Sequence, residues 1–231
     1  MEEKKRLEDI IRLVDKNKSV IDIGTDHGLV PLYLAKNNIS TDIVATDISE
    51  KSLNKLREAL DDELKKIIKT HVTDGFKGLE KKPNQVAIIA GMGANNIIDI
   101  INNDLDFAHS LDYMILESNV NTEKLRGFLL ANNFYIERDF MSLEKEKYYD
   151  ILKVRTGKAS KAKLSETYYP KDDIAKRSPI LEEKLRRDYE KNLFFRDQII
   201  KNSSDKKALA KINLKIQAIE EVYEIWKLEK L

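Results

Sequence analysis

Along the first 157 positions, apolar residues gather into short β-branched runs separated by stretches where they recur at helical spacing. The runs Ser19 to Ile23, Asp42 to Thr46, Ile68 to Val72, Gln85 to Ala90 and Tyr113 to Leu116 have strand length and are apolar enough to be covered on both faces. Between them, Gly28 to Asn37, Ser49 to Leu60, Ala94 to Asn102 and Thr122 to Asn132 are amphipathic and predict helices. Strands alternating with helices in this way predict βαβ units and a doubly wound parallel sheet, an α/β fold. Two more runs, Phe134 to Leu143 and Tyr148 to Arg155, follow one another with no helix between them. They predict an antiparallel hairpin closing one edge of the sheet.

The pattern changes after Thr156 and Gly157. A linker rich in Lys, Ser and Tyr, with Pro170 and Pro179, gives way to helical periodicity, and no strand signal follows Ser178. Leu209, Ile212, Ile216, Ile219, Tyr223 and Trp226 are spaced three and four apart, the seam of a coiled coil, and Leu181, Leu185, Tyr189 and Leu193 give a second stripe. Ile199 to Lys207, containing KNSSDKK, reads as the turn between two antiparallel helices. The expected organisation is an α/β domain over residues 1–157 and a helical coiled-coil domain over residues 158–231.

Cysteine is absent, which excludes disulfides and thiolate metal sites and suits a reducing compartment. The opening MEEKKRLEDIIRLVDKNK mixes acids among its bases and has no apolar run of signal-peptide length. The longest apolar patch, VAIIAGMGA, falls far short of the roughly 20 residues that cross a bilayer. A soluble, cytoplasmic protein with no membrane partner is expected. The net charge of +1 is unevenly spread: residues 158–231 carry 18 Lys or Arg against 13 Asp or Glu, which leaves residues 1–157 at −4. A basic tail on an acidic body suits phosphate contacts. A solvated Lys-rich helix surface gives the same charge pattern.

In a doubly wound sheet, ligands bind at the carboxyl ends of the strands. After the first strand, Asp22, Gly24 and Gly28 form D-x-G-x-x-x-G, with glycines that let backbone approach a ligand and turn into a helix. The middle glycine of a dinucleotide loop is replaced by Asp26. A carboxylate there repels a pyrophosphate but not S-adenosylmethionine, which is cationic at sulfur and has no phosphate. The second strand leads to Asp47, positioned to take ribose hydroxyls, and the third to Thr73, Asp74 and Gly75, an acid suited to an adenine amino group. Three acids at three successive strand ends point to a nucleoside-type cofactor. The loop AGMGANN after the fourth strand lacks the proline-rich, aromatic-ended motif with which methyltransferases clamp an exocyclic amine. A ring nitrogen, a carbon or a small molecule is the better target. His27, His71 and His109 share no metal-ligand spacing, and no metal is expected.

DIGTDHG with Asp47, then TDGF, IAGMG, a strand leading to Asn119, EKYYD and a helical extension resemble, over nearly the whole chain, the bacterial tRNA (adenine-N1)-methyltransferases that modify adenosine 22, the TrmK family. IGTDH at 23–27 and IAGMG at 89–93 are the most specific pieces. The resemblance implies a Rossmann-like class I methyltransferase sheet, S-adenosylmethionine as cofactor and tRNA as partner, in a monomer or weak dimer. It places the cofactor against Asp22, Gly24, Thr25, His27, Gly28, Asp47, Ile48, Asp74, Gly75, Gly91 and Met92, and it makes Asp26 the catalytic residue. Arg6, Gly93, Asn119, Tyr148, Tyr149, Arg186 and Arg187 are the candidate substrate contacts, with Lys184, Lys206 and Lys207 as further basic positions on the tail. Two departures stand out. Where the family commonly has Gln-Pro-Asn, this chain has Glu117, Ser118 and Asn119, and its Lys-x-Tyr-Glu pattern becomes Lys147, Tyr148, Tyr149 and Asp150.

N1 of adenine has its own lone pair, so the work of such an enzyme is to align it with the methyl group at about 3 to 3.5 Å. Positive charge passes to the purine, and a carboxylate at Asp26 suits the amino hydrogen of that base. The alternatives are a methyltransferase of the same fold acting on another RNA site or a small molecule, and a non-catalytic RNA-binding module.

Overall fold

The computed structural model describes residues 5–25, 27–202 and 205–228. Its strands are β1 (Ser19–Ile23), β2 (Asp42–Asp47), β3 (Ile68–Val72), β4 (Gln85–Ile89), β5 (Tyr113–Ser118), β6 (Phe134–Glu144) and β7 (Lys147–Thr156). The helices are α1 (Lys5–Ile11), α2 (Leu29–Lys36), α3 (Glu50–Glu58), α4 (Asp62–Ile67), α5 (Ala94–Asn103), α6 (Leu105–Ser110), α7 (Thr122–Ala131), α8 (Leu164–Tyr168), α9 (Lys171–Lys176), α10 (Pro179–Asn202) and α11 (Lys206–Trp226). The strands form one seven-stranded sheet in the order β3-β2-β1-β4-β5-β7-β6.

Strands β1 to β5 pair in parallel, and β7 joins β5 antiparallel, with Glu117 opposite Ile151 and Ser118 opposite Asp150. Every residue of β4 and β5 is buried, as continuous apolar runs covered on both faces require. Edge strand β3 is exposed at Lys69 and His71, charged and polar positions that blunt the free edge against further pairing. Strand order reverses between β1 and β4, so the loops after β1, β2, β3 and β4 converge at one end of the sheet. The core between the sheet and α5, α6 and α7 is built from Ile21, Ile89, Ile97, Phe107, Leu116, Leu125 and Phe134.

Hairpin β6–β7 turns on Lys145 and Glu146, both left-handed at φ 48° and 62°. This is the conformation of a type I′ turn, whose twist matches the strands it joins. The first predicted strand of the hairpin gains one residue, Glu144, at the turn, and the second gains one at each end, Lys147 and Thr156. Three helices that periodicity did not predict precede β3 or β5 or the sheet itself. In α4 and α6, Asp61 and Asp104 cap the first turn by accepting the amides of Leu64 at 2.8 Å and Phe107 at 2.9 Å. In α1, Ile10 and Ile11 are buried.

The chain divides into two compact units, Met1–Arg138 with Ser142–Ala159, and Asp139–Met141 with Ser160–Leu231. In the second unit the expected linker contains α8 and α9, α10 continues to Asn202 into the expected turn, and α11 begins within it at Lys206. Residues 203 and 204 of that turn lie outside the described residues. Helices α10 and α11 pack together and bury Leu181, Leu185 and Tyr189 with Ile216, Ile219, Val222, Tyr223 and Trp226. Trp226 Nε1 donates to the carbonyl of Ile174 at 2.7 Å, which ties the end of α11 to α9.

Candidate active site

At the carboxyl ends of β1 to β4 lies a cleft of about 610 Å³. Its wall includes Gly24 after β1, Asp47 ending β2 and Ile48 after it, Thr73, Asp74 and Gly75 after β3, and Gly91 and Met92 after β4. Seven of the residues assigned to the cofactor from sequence thus line a single space. Helix α5 supplies a wall that the sequence reading omitted, with Asn96, Asp99, Ile100 and Asn103. These four are spaced three, one and three residues apart, one face of a helix, and that spacing was available as a signal.

Backbone conformation explains the glycines. Gly24 sits at φ +74°, and a Cβ there would lie 2.1 Å from Met92 Cε. The first and fourth loops therefore touch at the floor of the cleft. Gly91 sits at φ +76° with nothing within 4 Å of the place a Cβ would take, so the loop presents bare backbone. Gly28, left-handed at φ 67°, stands immediately before α2 and packs on Leu56. The amides of Gly24 and Thr25 donate to the carbonyl of Thr46 at 2.8 and 3.0 Å, fixing the first loop against the end of β2.

The electrostatics are one-sided. Asp47, Asp74 and Asp99 line the cleft, and among its described lining residues there is no Lys, Arg or His. Asp47 is oriented by its own turn, its Oδ1 accepting the amide of Ser49 at 2.7 Å. Asp22 lies beneath the first loop and is 4% exposed. Burial pushes its carboxyl up to about 6, the Thr25 hydroxyl beside it pulls the other way, and the charge of Asp47 adds to the rise. Among the described residues Thr25 Oγ1 has no partner of good hydrogen-bond geometry, so its pull on Asp22 is that of a neighbour rather than a full bond.

The other candidates fall as follows. Asp26 lies outside the described residues. His27 is exposed, and Thr25 is buried. Gly93 immediately precedes α5 and borders Val120, and Asn119 is exposed just after β5. Arg6 is engaged by protein: its Nη1 meets Glu117 Oε2 at 2.9 Å, and its guanidinium lies 4.8 Å from the centre of the Tyr149 ring. Tyr148 is half-buried on β7. Arg186 and Arg187 are exposed on α10, with Arg187 3.8 Å from Glu183, and Lys184 pairs with Asp188 at 2.8 Å. No described group of three or more His, Asp or Glu is placed to hold a metal ion. No described helix is long and apolar enough to cross a membrane.

A family described as a methyltransferase domain matches residues 3–152. The chain is 33% identical over 170 residues to a candidate tRNA methyltransferase of Mycoplasma pneumoniae, covering 71% of this chain and 76% of that protein. It is 25% identical over 154 residues to the tRNA (adenine(22)-N(1))-methyltransferase of Bacillus subtilis, covering 66% of this chain and 65% of that one. Its structure is similar to a candidate tRNA (m1A22) methyltransferase of Streptococcus pneumoniae, with a TM-score of 0.86, 27% identity, and coverage of 94% of this chain and 98% of that chain. The same protein solved with S-adenosyl-L-methionine gives a TM-score of 0.83 at 26% identity over 95% and 99% of the two chains. A seven-stranded sheet with an acid ending its second strand and another following its third, a cleft with no cationic side chain among its described residues, and these relatives agree: the chain belongs to the methyltransferase-domain family, and its relatives include a tRNA (adenine(22)-N(1))-methyltransferase.

Proposed function

We propose that this chain transfers a methyl group from S-adenosylmethionine to N1 of adenosine 22 in tRNA. The observation that carries the reading is the cleft lined by three aspartates and no cationic side chain among its described residues. Such a wall repels phosphates and suits a sulfonium ligand.

The residues present fit that ligand. Asp47, held by the Ser49 amide, keeps carboxylate oxygen for the ribose hydroxyls, and Asp74 is available to the adenine amino group. The open backbone at Gly91 admits close approach, and Ile48, 75% exposed at the cleft wall, offers an apolar surface to a flat base. When bound, the cofactor supplies an electrophilic methyl group whose bond to sulfur breaks as the bond to N1 forms, leaving the positive charge on the adenine. Asp26 accepts the amino hydrogen of the target base and stabilises that charge. Arg186, Arg187 and the other basic positions of residues 158–231 contact tRNA phosphates, and flipping the base costs a few kcal/mol that those contacts offset.

A different acceptor was suggested by Glu117 in place of the family's Gln. Glu117 Oε2, however, accepts both the Gly91 amide and the Arg6 guanidinium, so its charge is committed within the protein. The test is incubation with labelled cofactor and unmodified tRNA transcripts, followed by mapping of reverse-transcription stops. A stop at position 22, lost in a transcript with guanosine there, is expected. Cofactor binding without label on any tRNA would contradict the proposal.

A further inference from the structure

Three separate segments meet at one carboxylate, and a fourth is reached from it through Arg6. Glu117, next to last in β5, is 1% exposed. Its Oε2 accepts the Gly91 amide at 2.8 Å and Arg6 Nη1 at 2.9 Å. Arg6, on α1, also donates its backbone N–H to Glu144 at 3.3 Å and covers the ring of Tyr149. Beside Tyr149, Asp150 pairs at 3.3 Å with Arg126, whose side chain is fully buried. The cofactor loop after β4, the end of β5, the N-terminal helix and the β6–β7 hairpin are thereby joined through side chains more than 25 residues apart in sequence.

The chemistry of the junction is asymmetric. The Gly91 amide needs only an oxygen acceptor, which either a carboxylate or an amide side chain provides. Arg6 needs a negative charge, and a buried carboxylate needs a cation. Desolvation raises the Glu117 carboxyl pKa, Arg6 and the Gly91 amide oppose that rise, and Asp150 reinforces it. Removing Arg6 therefore strands a buried carboxylate next to the loop that walls the cofactor cleft.

We infer that Glu117 and Arg6 are positioning residues for methyl transfer. Glu117 fixes the Gly91 amide and with it the Gly91–Met92 wall of the cleft, and Arg6 holds Glu117 in place while tying that wall to Tyr149. The inference rests on the cofactor reading of the cleft.

The test measures S-adenosylhomocysteine affinity by calorimetry, and kcat and KM for tRNA, in the full chain carrying Arg6→Ala, Glu117→Gln, or both. Arg6 is on a half-exposed helix face, so its loss leaves the core intact. Arg6→Ala is expected to weaken affinity about tenfold, as losing a charge-assisted partner does. Glu117→Gln is expected to stay within about threefold of wild type, since its amide oxygen still accepts from Gly91. The double variant is expected to bind better than Arg6→Ala alone, because no stranded charge remains. Unchanged affinity, kcat and KM in all three, with only the melting temperature shifted, would overturn the inference. A wild-type chain that fails to bind would instead overturn the cofactor reading itself.

Discussion

Gly24 and Met92 meet in the cleft at the carboxyl ends of β1 to β4 so closely that a methyl group added to Gly24 would lie 2.1 Å from Met92 Cε. Contact between loops 68 residues apart closes one end of the cleft, and it depends on a left-handed glycine at φ +74°. Gly24→Ala is expected to abolish measurable S-adenosylhomocysteine binding. Adding Met92→Ala should recover part of it by removing the flexible obstruction, while backbone strain of about 1 kcal/mol remains. Calorimetry on both variants checks this; equal loss in single and double variants would mean that strain alone matters.

The buried Asp22 makes a prediction about pH. Its folded-state pKa of about 6 exceeds its ordinary value of 3.8, so the folded chain holds this proton more tightly than the unfolded chain. Stability from this group therefore falls as pH rises between those two values, by about 3 kcal/mol in all, and is flat beyond them. A cationic ligand favours the ionised form, so cofactor affinity should rise with pH from 5 to 7. In Asp22→Asn that rise is expected to vanish, which titration calorimetry at several pH values would show.

Asp47 is expected to be the main anchor of the ribose. Asp47→Asn preserves shape but removes the charge that strengthens two hydroxyl contacts, and a tenfold to hundredfold loss of cofactor affinity is expected, about 1.5–3 kcal/mol. Equilibrium binding reads the loss, and the melting temperature of the free chain should hardly move.

In the helical unit, the indole of Trp226 satisfies the carbonyl of Ile174 at 2.7 Å in a buried setting. Trp226→Phe keeps an aromatic ring but removes the shorter of that carbonyl's two donors, leaving only the Arg177 amide at 3.3 Å, a cost of about 1 kcal/mol. Urea unfolding of the full chain measures it.

Much of this was legible in the sequence, because buried parallel strands are continuous apolar runs and cofactor loops follow them directly. Asp47 at the end of β2, Asp74 after β3, Gly24 after β1 and Gly91 after β4 could be placed on that logic, and they line one cleft. Short helices were not legible: α4 and α6 have six residues each, too few for a period, and only Asp61 and Asp104 announce them. The β6–β7 turn hides its type, since Lys145 and Glu146 occupy left-handed positions that usually carry Asn or Gly. The pairing of Arg6 with Glu117 spans 111 residues and leaves no local signature. Both residues stand out in the sequence, one as a candidate substrate contact and the other as a departure from the family, and only the fold shows that they are partners.

In the proposed reaction the acidic cleft holds the cofactor while Asp26 assists methyl transfer to N1 of a tRNA adenosine. The most direct measurement compares wild type and Asp26→Asn in methyl transfer to unmodified tRNA, mapped by reverse-transcription stops, with S-adenosylhomocysteine affinity measured in parallel. The expected result is a wild-type stop at adenosine 22 that is reduced at least about a hundredfold in Asp26→Asn while affinity stays within about threefold. Equal stops in both proteins, or loss of binding and methylation together, would contradict the role given to Asp26; no stop in either would contradict the tRNA assignment.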